Sequence, residues 1–257
     1  DWLILEIVSK NNIKGYSELT MSNYYKRDEL ISITKKLIKK LSNKDVENDN
    51  QVKQVLEENR EESLIFNTSI SGIRSACSDI FSKIKKAPMN IYLAELKKRK
   101  ISNSVELYAN INRSLLPNND GPVDRSPNSF FNMAKRAKNA GFKKIKCAPF
   151  DGFENEEYED RKFINGGIDK VSLISKNLKN EIEILVDCHS KFNLKESQAA
   201  EKDLYDLGIK WFEEPMDPQK NLEDLKKLKL CIKGKLVGGE EFYGINKFYN
   251  LIENDFL

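Results

Sequence analysis

Apolar positions follow two different rhythms along the chain. Residues 2–8 and 15–20 are β-like runs joined by Lys10-Asn11-Asn12, whose asparagines suit a tight turn, and they predict a hairpin. Three amphipathic helices are expected next, over 28–41, 45–59 and 69–86, with apolar residues three and four apart, as in Leu30, Ile33, Leu37 and Leu41. After Pro88 the rhythm changes. From Ser104 onward short β-branched runs alternate with amphipathic segments. Strands are predicted at 105–112, 142–148, 182–189, 209–214 and 235–240, and helices near 128–139, 169–178, 194–207, 221–230 and 246–252.

This change divides the chain into an α+β module, 1–95, and an α/β domain, 96–257, in which strict alternation predicts a parallel sheet. Five strand and helix units in about 150 residues match the repeat of a (β/α)8 barrel, which takes about 250 residues for eight units. An open doubly wound sheet would produce the same alternation. On the barrel reading the domain is incomplete in this chain, and further strands are expected beyond Leu257.

Composition narrows the function classes. Lys and Arg number 43 against 40 Asp and Glu, so a net charge of +3 gives no field for steering onto nucleic acid or anionic lipid. The run Trp2–Val8 is interrupted by Glu6 and is far short of a membrane span, so neither a nucleic-acid nor a membrane partner is expected. The four cysteines, Cys77, Cys147, Cys188 and Cys231, form no CxxC pair and predict buried free thiols in a reducing cytoplasm. The chain opens at Asp1 inside a strand-like run, so native residues are expected ahead of it.

Candidate chemistry lies at the strand ends. Leu185-Val186-Asp187, Trp211-Phe212-Glu213-Glu214-Pro215 and Val237-Gly238-Gly239-Glu240-Glu241 each close a predicted strand with an acid. Asp187, Glu213 and Glu240 are spaced by 26 and 27 residues, one strand-helix unit each. In a parallel barrel the C-terminal strand ends crowd around one mouth, so the three carboxylates would converge, and they would repel one another without a cation. Oxygen-only ligands suit a hard ion, Mg2+ in particular. His189, the chain's single histidine, follows Asp187 by two residues and is expected on the same face. Asn110, Asn112 and Arg113 at the end of the first predicted strand read as turn or cap residues, and so does Asp151 within Pro149-Phe150-Asp151-Gly152. Gly166-Gly167 lacks the context of a phosphate loop.

These motifs resemble the mandelate racemase and muconate lactonizing enzymes of the enolase superfamily. Gly141-Phe142-Lys143-Lys144-Ile145-Lys146 is similar to their second barrel strand, Asp187 to the metal ligand on the third, Glu213-Glu214-Pro215 to the fourth-strand signature and Gly239-Glu240 to the fifth-strand ligand. The resemblance implies a (β/α)8-type barrel preceded by an α+β capping domain, and Mg2+ held by Asp187, Glu213 and Glu240, with Glu214 pointing elsewhere. It also implies abstraction of the α-proton of a small carboxylate substrate, a hydroxy acid or acid sugar, by a chain that can form a homo-oligomer. The family often carries two lysines as Lys-x-Lys on the second strand; here the first is Lys146 and the second position holds Ala148, so a lysine base is missing. Lys146 is then the electrostatic partner of the substrate. Asp187-Cys188-His189 is similar to the Asp-x-His of the family's sugar-acid dehydratases, which makes His189 the acid-base candidate. The expected reaction is dehydration of a sugar acid to a 2-keto-3-deoxy product. A racemase, epimerase or cycloisomerase, or a catalytically silent enolase-like binding protein, is the alternative. A further base is expected on strands after Leu257, and a specificity loop before Asp1.

Overall fold

The computed structural model describes residues 2–20, 26–42, 44–57, 63–112, 115, 124–152 and 162–253, in two compact units, Asp1–Ser104 and Val105–Leu257.

The first unit opens with a hairpin, β1 (Ile4–Val8) and β2 (Lys14–Glu18), in antiparallel register from Ile4 opposite Glu18 to Val8 opposite Lys14. Ser9 closes its turn through both backbone and hydroxyl, and Asn12 takes the left-handed conformation, φ 60°, that asparagine tolerates. Four helices follow: α1 (Arg27–Leu41), α2 (Asp49–Glu57), α3 (Leu64–Ile84) and α4 (Met89–Lys97). The helix α4 is absent from the sequence expectation of three. It begins directly after Pro88 and ends at Lys98 in a left-handed cap, φ 51°, and it buries only Tyr92. A helix with so short an apolar stripe leaves little periodic signal. The unit's core gathers Leu37, Val52, Leu56, Phe66, Ile70, Ile73, Cys77, Phe81 and Tyr92. An Arg74–Asp49 pair with hydrogen bonds of 2.8 and 2.6 Å ties α3 to the start of α2.

The second unit is a parallel sheet of five strands: β3 (Ala109–Asn110), β4 (Lys144–Cys147), β5 (Glu183–Asp187), β6 (Trp211–Glu213) and β7 (Lys235–Val237). Between and after them lie α5 (Pro127–Asn139), α6 (Lys162–Leu178), α7 (Leu194–Asp206), α8 (Leu222–Cys231) and α9 (Ile245–Glu253). The strands lie side by side in chain order, β3-β4-β5-β6-β7. A doubly wound sheet would reverse direction at a switch point. Unbroken order is that of a (β/α)8-type barrel, of which these strands are a part.

The strand predicted over 105–112 shrinks to two paired residues, with Ala109 beside Ile145 and Asn110 beside Lys146. Its apolar lead-in lies on the surface instead, with Val105 75% and Leu107 65% exposed. Conversely, α6 starts at Lys162, seven residues before the predicted start, and runs through Gly166-Gly167. A Cβ on Gly167 would lie 2.2 Å from the ring of Phe150, so the glycine is a packing requirement in the helix rather than a turn. Phe150 is fully buried and meets Phe192 edge-on at 4.9 Å and Phe163 at 6.0 Å, between the strands and their helices. Cys77, Cys147 and Cys188 are buried free thiols, while Cys231 departs from expectation and is exposed. Burial pushes the Cys77 thiol up to about 11 and that of Cys147 to about 12, beyond reactivity at neutral pH. No described helix is long and apolar enough to cross a membrane.

Candidate active site

Strand alternation sorts the side chains of the barrel unit. Ile145 and Cys147 of β4, Ile184 and Val186 of β5, and Phe212 of β6 enter the core shared with the helices, which leaves Lys146, Asp187 and Glu213 on the opposite face. Asp187 and Glu213 are register partners, and Lys146 stands level with Leu185, one same-facing position below Asp187. Glu240 follows β7 just past its paired residues. One carboxylate oxygen from each of Asp187, Glu213 and Glu240 lies within 4.8 Å of the other two. The first two residues are buried and Glu240 is exposed.

Positive charge is threaded into this cluster. Lys146 Nζ lies 2.9 Å from Asp187 Oδ2 and 2.5 Å from Glu213 Oε1, and the indole of Trp211 donates to Glu213 Oε2 at 3.0 Å. Burial opposes the charge of Lys146, but its hydrogen bonds to Glu213 and Asp187 prevail and hold the ammonium well above the usual lysine range. Burial likewise works against the Asp187 carboxylate, and contacts from His189 and Lys146 prevail to hold its pKa below the ordinary value. Glu240 goes the other way: withdrawal from water and the charges of Glu214 and Asp187 raise it. The cluster is therefore short of positive charge on the Glu240 side. Three convergent carboxylates with that deficit suit a hard divalent cation.

His189 reaches the cluster by an unexpected route. Continuing the strand would place it on the face of Asp187, as its spacing suggests, but β5 ends at Asp187, and His189 and Ser190 turn in left-handed conformations with φ of 49° and 57°. Through this turn His189 Nε2 comes 3.5 Å from Asp187 Oδ2. The ring's other nitrogen, Nδ1, meets Asp151 Oδ1 and Oδ2 at 2.9 and 3.0 Å. Those bonds, first to Asp151 and then to Asp187, outweigh burial and raise the imidazole to about 10. Asp151 is thus more than the plain turn residue that its sequence context suggests. Its signal was its place just after β4, at the same end of the sheet as the three acids.

Glu214 also has a structural role that its sequence context hides. Its backbone is left-handed, φ 38°, and its buried carboxylate turns away from the cluster to accept the backbone N–H of Gly239 at 2.7 Å and of Glu240 at 3.0 Å. It thereby holds the segment that carries Glu240. Of the first-strand candidates, Asn110 makes a local turn by accepting the N–H of Asn112, while Asn112 reaches Asp151. Arg113 lies outside the described residues.

A part of a parallel barrel with a carboxylate cluster at its C-terminal strand ends defines the class: a (β/α) barrel domain with an acidic centre at its mouth. Residues 131–257 match the family described as enolase C-terminal domain-like. A member of the enolase superfamily from Salmonella Typhimurium superposes with a TM-score of 0.86 at 20% identity, over 99% of this chain and 67% of its own. A candidate dehydratase from Mesorhizobium loti gives 0.85 at 22%, over 98% and 66%. An enolase described as a candidate galactarate dehydratase from Agrobacterium radiobacter, with sodium and L-malate bound, gives 0.80 at 18%, over 99% and 61%. The chain spans about two thirds of the length of such proteins or slightly less. No curated protein matches it.

Proposed function

We propose that the chain carries the metal site and part of the proton-transfer apparatus of a Mg2+-dependent lyase that dehydrates a sugar acid to a 2-keto-3-deoxy acid. The observation that carries this reading is the convergence of Asp187, Glu213 and Glu240 within 4.8 Å, with Lys146 and His189 against the same cluster. Asp187, Glu213 and Glu240 would hold the ion. Bound there, Mg2+ supplies charge neutralisation for a carboxylate whose α-carbon is losing a proton.

The residues divide the remaining work. Lys146, 2.9 Å from Asp187 and 2.5 Å from Glu213, stabilises negative charge as it develops on the substrate carboxylate. The α C–H bond breaks as its proton passes to a general base other than Lys146 and His189; the electron pair enters the carboxylate system, and its return expels the β-hydroxyl, which takes a proton from His189 and leaves as water. His189 suits that step, because its Nε2 lies 3.5 Å from Asp187 Oδ2 at the cluster while Nδ1 meets Asp151 at 2.9 Å. The product enol then ketonises at carbon 2. The dehydratase neighbours and the neighbour with bound malate support a small hydroxy-acid substrate. The free buried thiols fit a cytoplasmic location.

The test is a panel of acid sugars with Mg2+ in deuterated water. A 2-keto product from one of them is the expected result. Deuterium incorporation at the α-carbon with no dehydration would favour racemisation or epimerisation. Neither exchange nor product across the panel would overturn the enzymatic reading and leave a silent enolase-like binding protein.

A further inference from the structure

Asp151 lies outside the set of residues proposed to hold the ion, yet it is among the most firmly placed acids near the site. We infer that Asp151 is a positioning residue that grips the Nδ1 edge of His189 and so turns Nε2 toward the reaction centre beside Asp187. The inference rests on the reading of His189 as the proton carrier.

Three observations carry it. The first is chemical. An ionised carboxylate only accepts hydrogen bonds, so with both oxygens of Asp151 at 2.9 and 3.0 Å, Nδ1 must be the donor and carry hydrogen. Nε2 is then the nitrogen that faces Asp187 at 3.5 Å and is available for proton transfer.

The second is that Asp151 is itself built in. Its backbone N–H donates to Ala148 O at 3.3 Å, and Asn112 Nδ2 approaches its Oδ2 at 3.4 Å. Arg125 donates to Asn112 Oδ1 at 3.1 Å and to Ala148 O at 2.7 Å, bracing both sides of the turn. The buried ammonium of Lys170 donates to Pro149 O at 2.8 Å, and the neighbouring Phe150 is wholly inside the core. A residue at a loop tip would have none of this support. Lys191 Nζ, at 3.7 Å from Asp151 Oδ1, is a further cation beside the carboxylate.

The third is the backbone of His189. A left-handed conformation outside glycine costs on the order of 1 kcal/mol or more, and it persists only where surrounding contacts hold it. Here Ser190 N donates to Glu214 O at 2.7 Å and Phe192 N to Pro215 O at 2.9 Å, pinning the turn to the end of β6. The turn delivers the imidazole into the gap between Asp151 and Asp187. Residues following three neighbouring strands, Asn112 after β3, Asp151 after β4 and His189 after β5, thus form one hydrogen-bonded line ending at the acidic cluster.

Because His189 is the chain's only histidine, every imidazole signal of a histidine-labelled sample belongs to it. The experiment compares full-length Mg2+-loaded wild type with Asp151→Ala and Asp151→Asn, by nitrogen-edited NMR and by steady-state dehydration of the best acid sugar. In wild type a downfield Nδ1 proton protected from solvent is expected. It should vanish in Asp151→Ala and survive in Asp151→Asn, whose amide oxygen can still accept. In Asp151→Ala kcat should fall on the order of 10- to 100-fold with KM and Mg2+ affinity unchanged, and Asp151→Asn should recover part of that loss. A protected Nδ1 proton in Asp151→Ala, its absence from wild type, or an unaltered kcat would each overturn the positioning role. If wild type turns over no acid sugar, the proposed reaction fails, and the NMR comparison alone decides whether Asp151 positions His189.

Discussion

Asp187, Glu213 and Glu240 differ in burial, and that difference orders what their removal should do. Asp187 and Glu213 are 4% and 8% exposed and share Lys146, so neutralising either leaves the ammonium with one carboxylate and the proposed ion with two ligands. Asp187→Asn and Glu213→Gln should each weaken Mg2+ binding by at least about tenfold, or about 1.4 kcal/mol, in a calorimetric titration. Glu240→Gln, at the exposed corner, should weaken it less, and full affinity in all three variants would sink the site assignment. Glu214 is the companion test. It accepts two backbone N–H groups while buried, so Glu214→Ala should cost about 2 kcal/mol in chemical denaturation and lower Mg2+ affinity by releasing the backbone of Glu240. At this scale the sequence announces acids at repeating strand ends, because covalent spacing and strand period are local properties. It does not announce that Glu214 binds the backbone at the neighbouring strand end, or that Asp151 meets His189 across 38 residues, since such partnerships are made only by folding.

Packing between elements explains why some segments depart from their local signals. Gly167 sits inside α6 because Phe150, locked by Phe163 and Phe192, leaves no room for a Cβ. Gly167→Ala gains up to about 1 kcal/mol of helix propensity but forces an overpacked ring, at about 1–3 kcal/mol, so net destabilisation is expected in urea unfolding. A more stable variant would show that Phe150 has somewhere to go. The first turns of α6 were missed because two glycines in succession weaken the local helical signal ahead of Asp169. In the first unit the Asp49–Arg74 pair adds a polar link between α2 and α3 to their shared apolar core, with Asp49 5% exposed. Arg74 holds the Asp49 carboxyl below its ordinary range despite partial desolvation. A depressed acid of this kind stabilises fully above its unfolded pKa, about 3.9, and loses that contribution as pH falls through the lower folded value. Asp49→Asn should therefore unfold more easily at neutral pH, and its stability deficit relative to wild type should shrink in acid. The helices α1, α3, α5 and α7 were legible in outline because their apolar stripes repeat over ten residues or more. The two-residue β3 and the nine-residue α4 were not, because their limits depend on which neighbours they touch.

At the scale of the molecule, the acidic cluster sets a cost that folding must meet. Parallel strands in unbroken order bring three carboxylates to one end of the sheet, and the only lysine described between them, Lys146, reaches two. Glu240 remains with Glu214 and Asp187 as its strongest charged neighbours, which is why its carboxyl is raised beyond what burial alone does. An ion that binds this arrangement and not the unfolded chain must stabilise the fold by mass action, by about 2.7 kcal/mol at a hundred times its dissociation constant. For a chain of this size that corresponds to a rise in Tm of several degrees, on the order of 2–4 °C per kcal/mol. Saturating Mg2+ should therefore raise the thermal midpoint, and chelation should reverse the rise. Asp187→Asn should abolish most of the response, while Asp151→Asn, altered outside the ligand set, should keep it. Tetramethylammonium chloride at matched ionic strength separates binding from screening: it weakens the mutual repulsion of all exposed charges, but its bulky cation has no open coordination position for the three carboxylates. A rise that this salt reproduces, or one that Asp187→Asn retains in full, would mean that the convergence of Asp187, Glu213 and Glu240 is relieved by Lys146 and solvent alone.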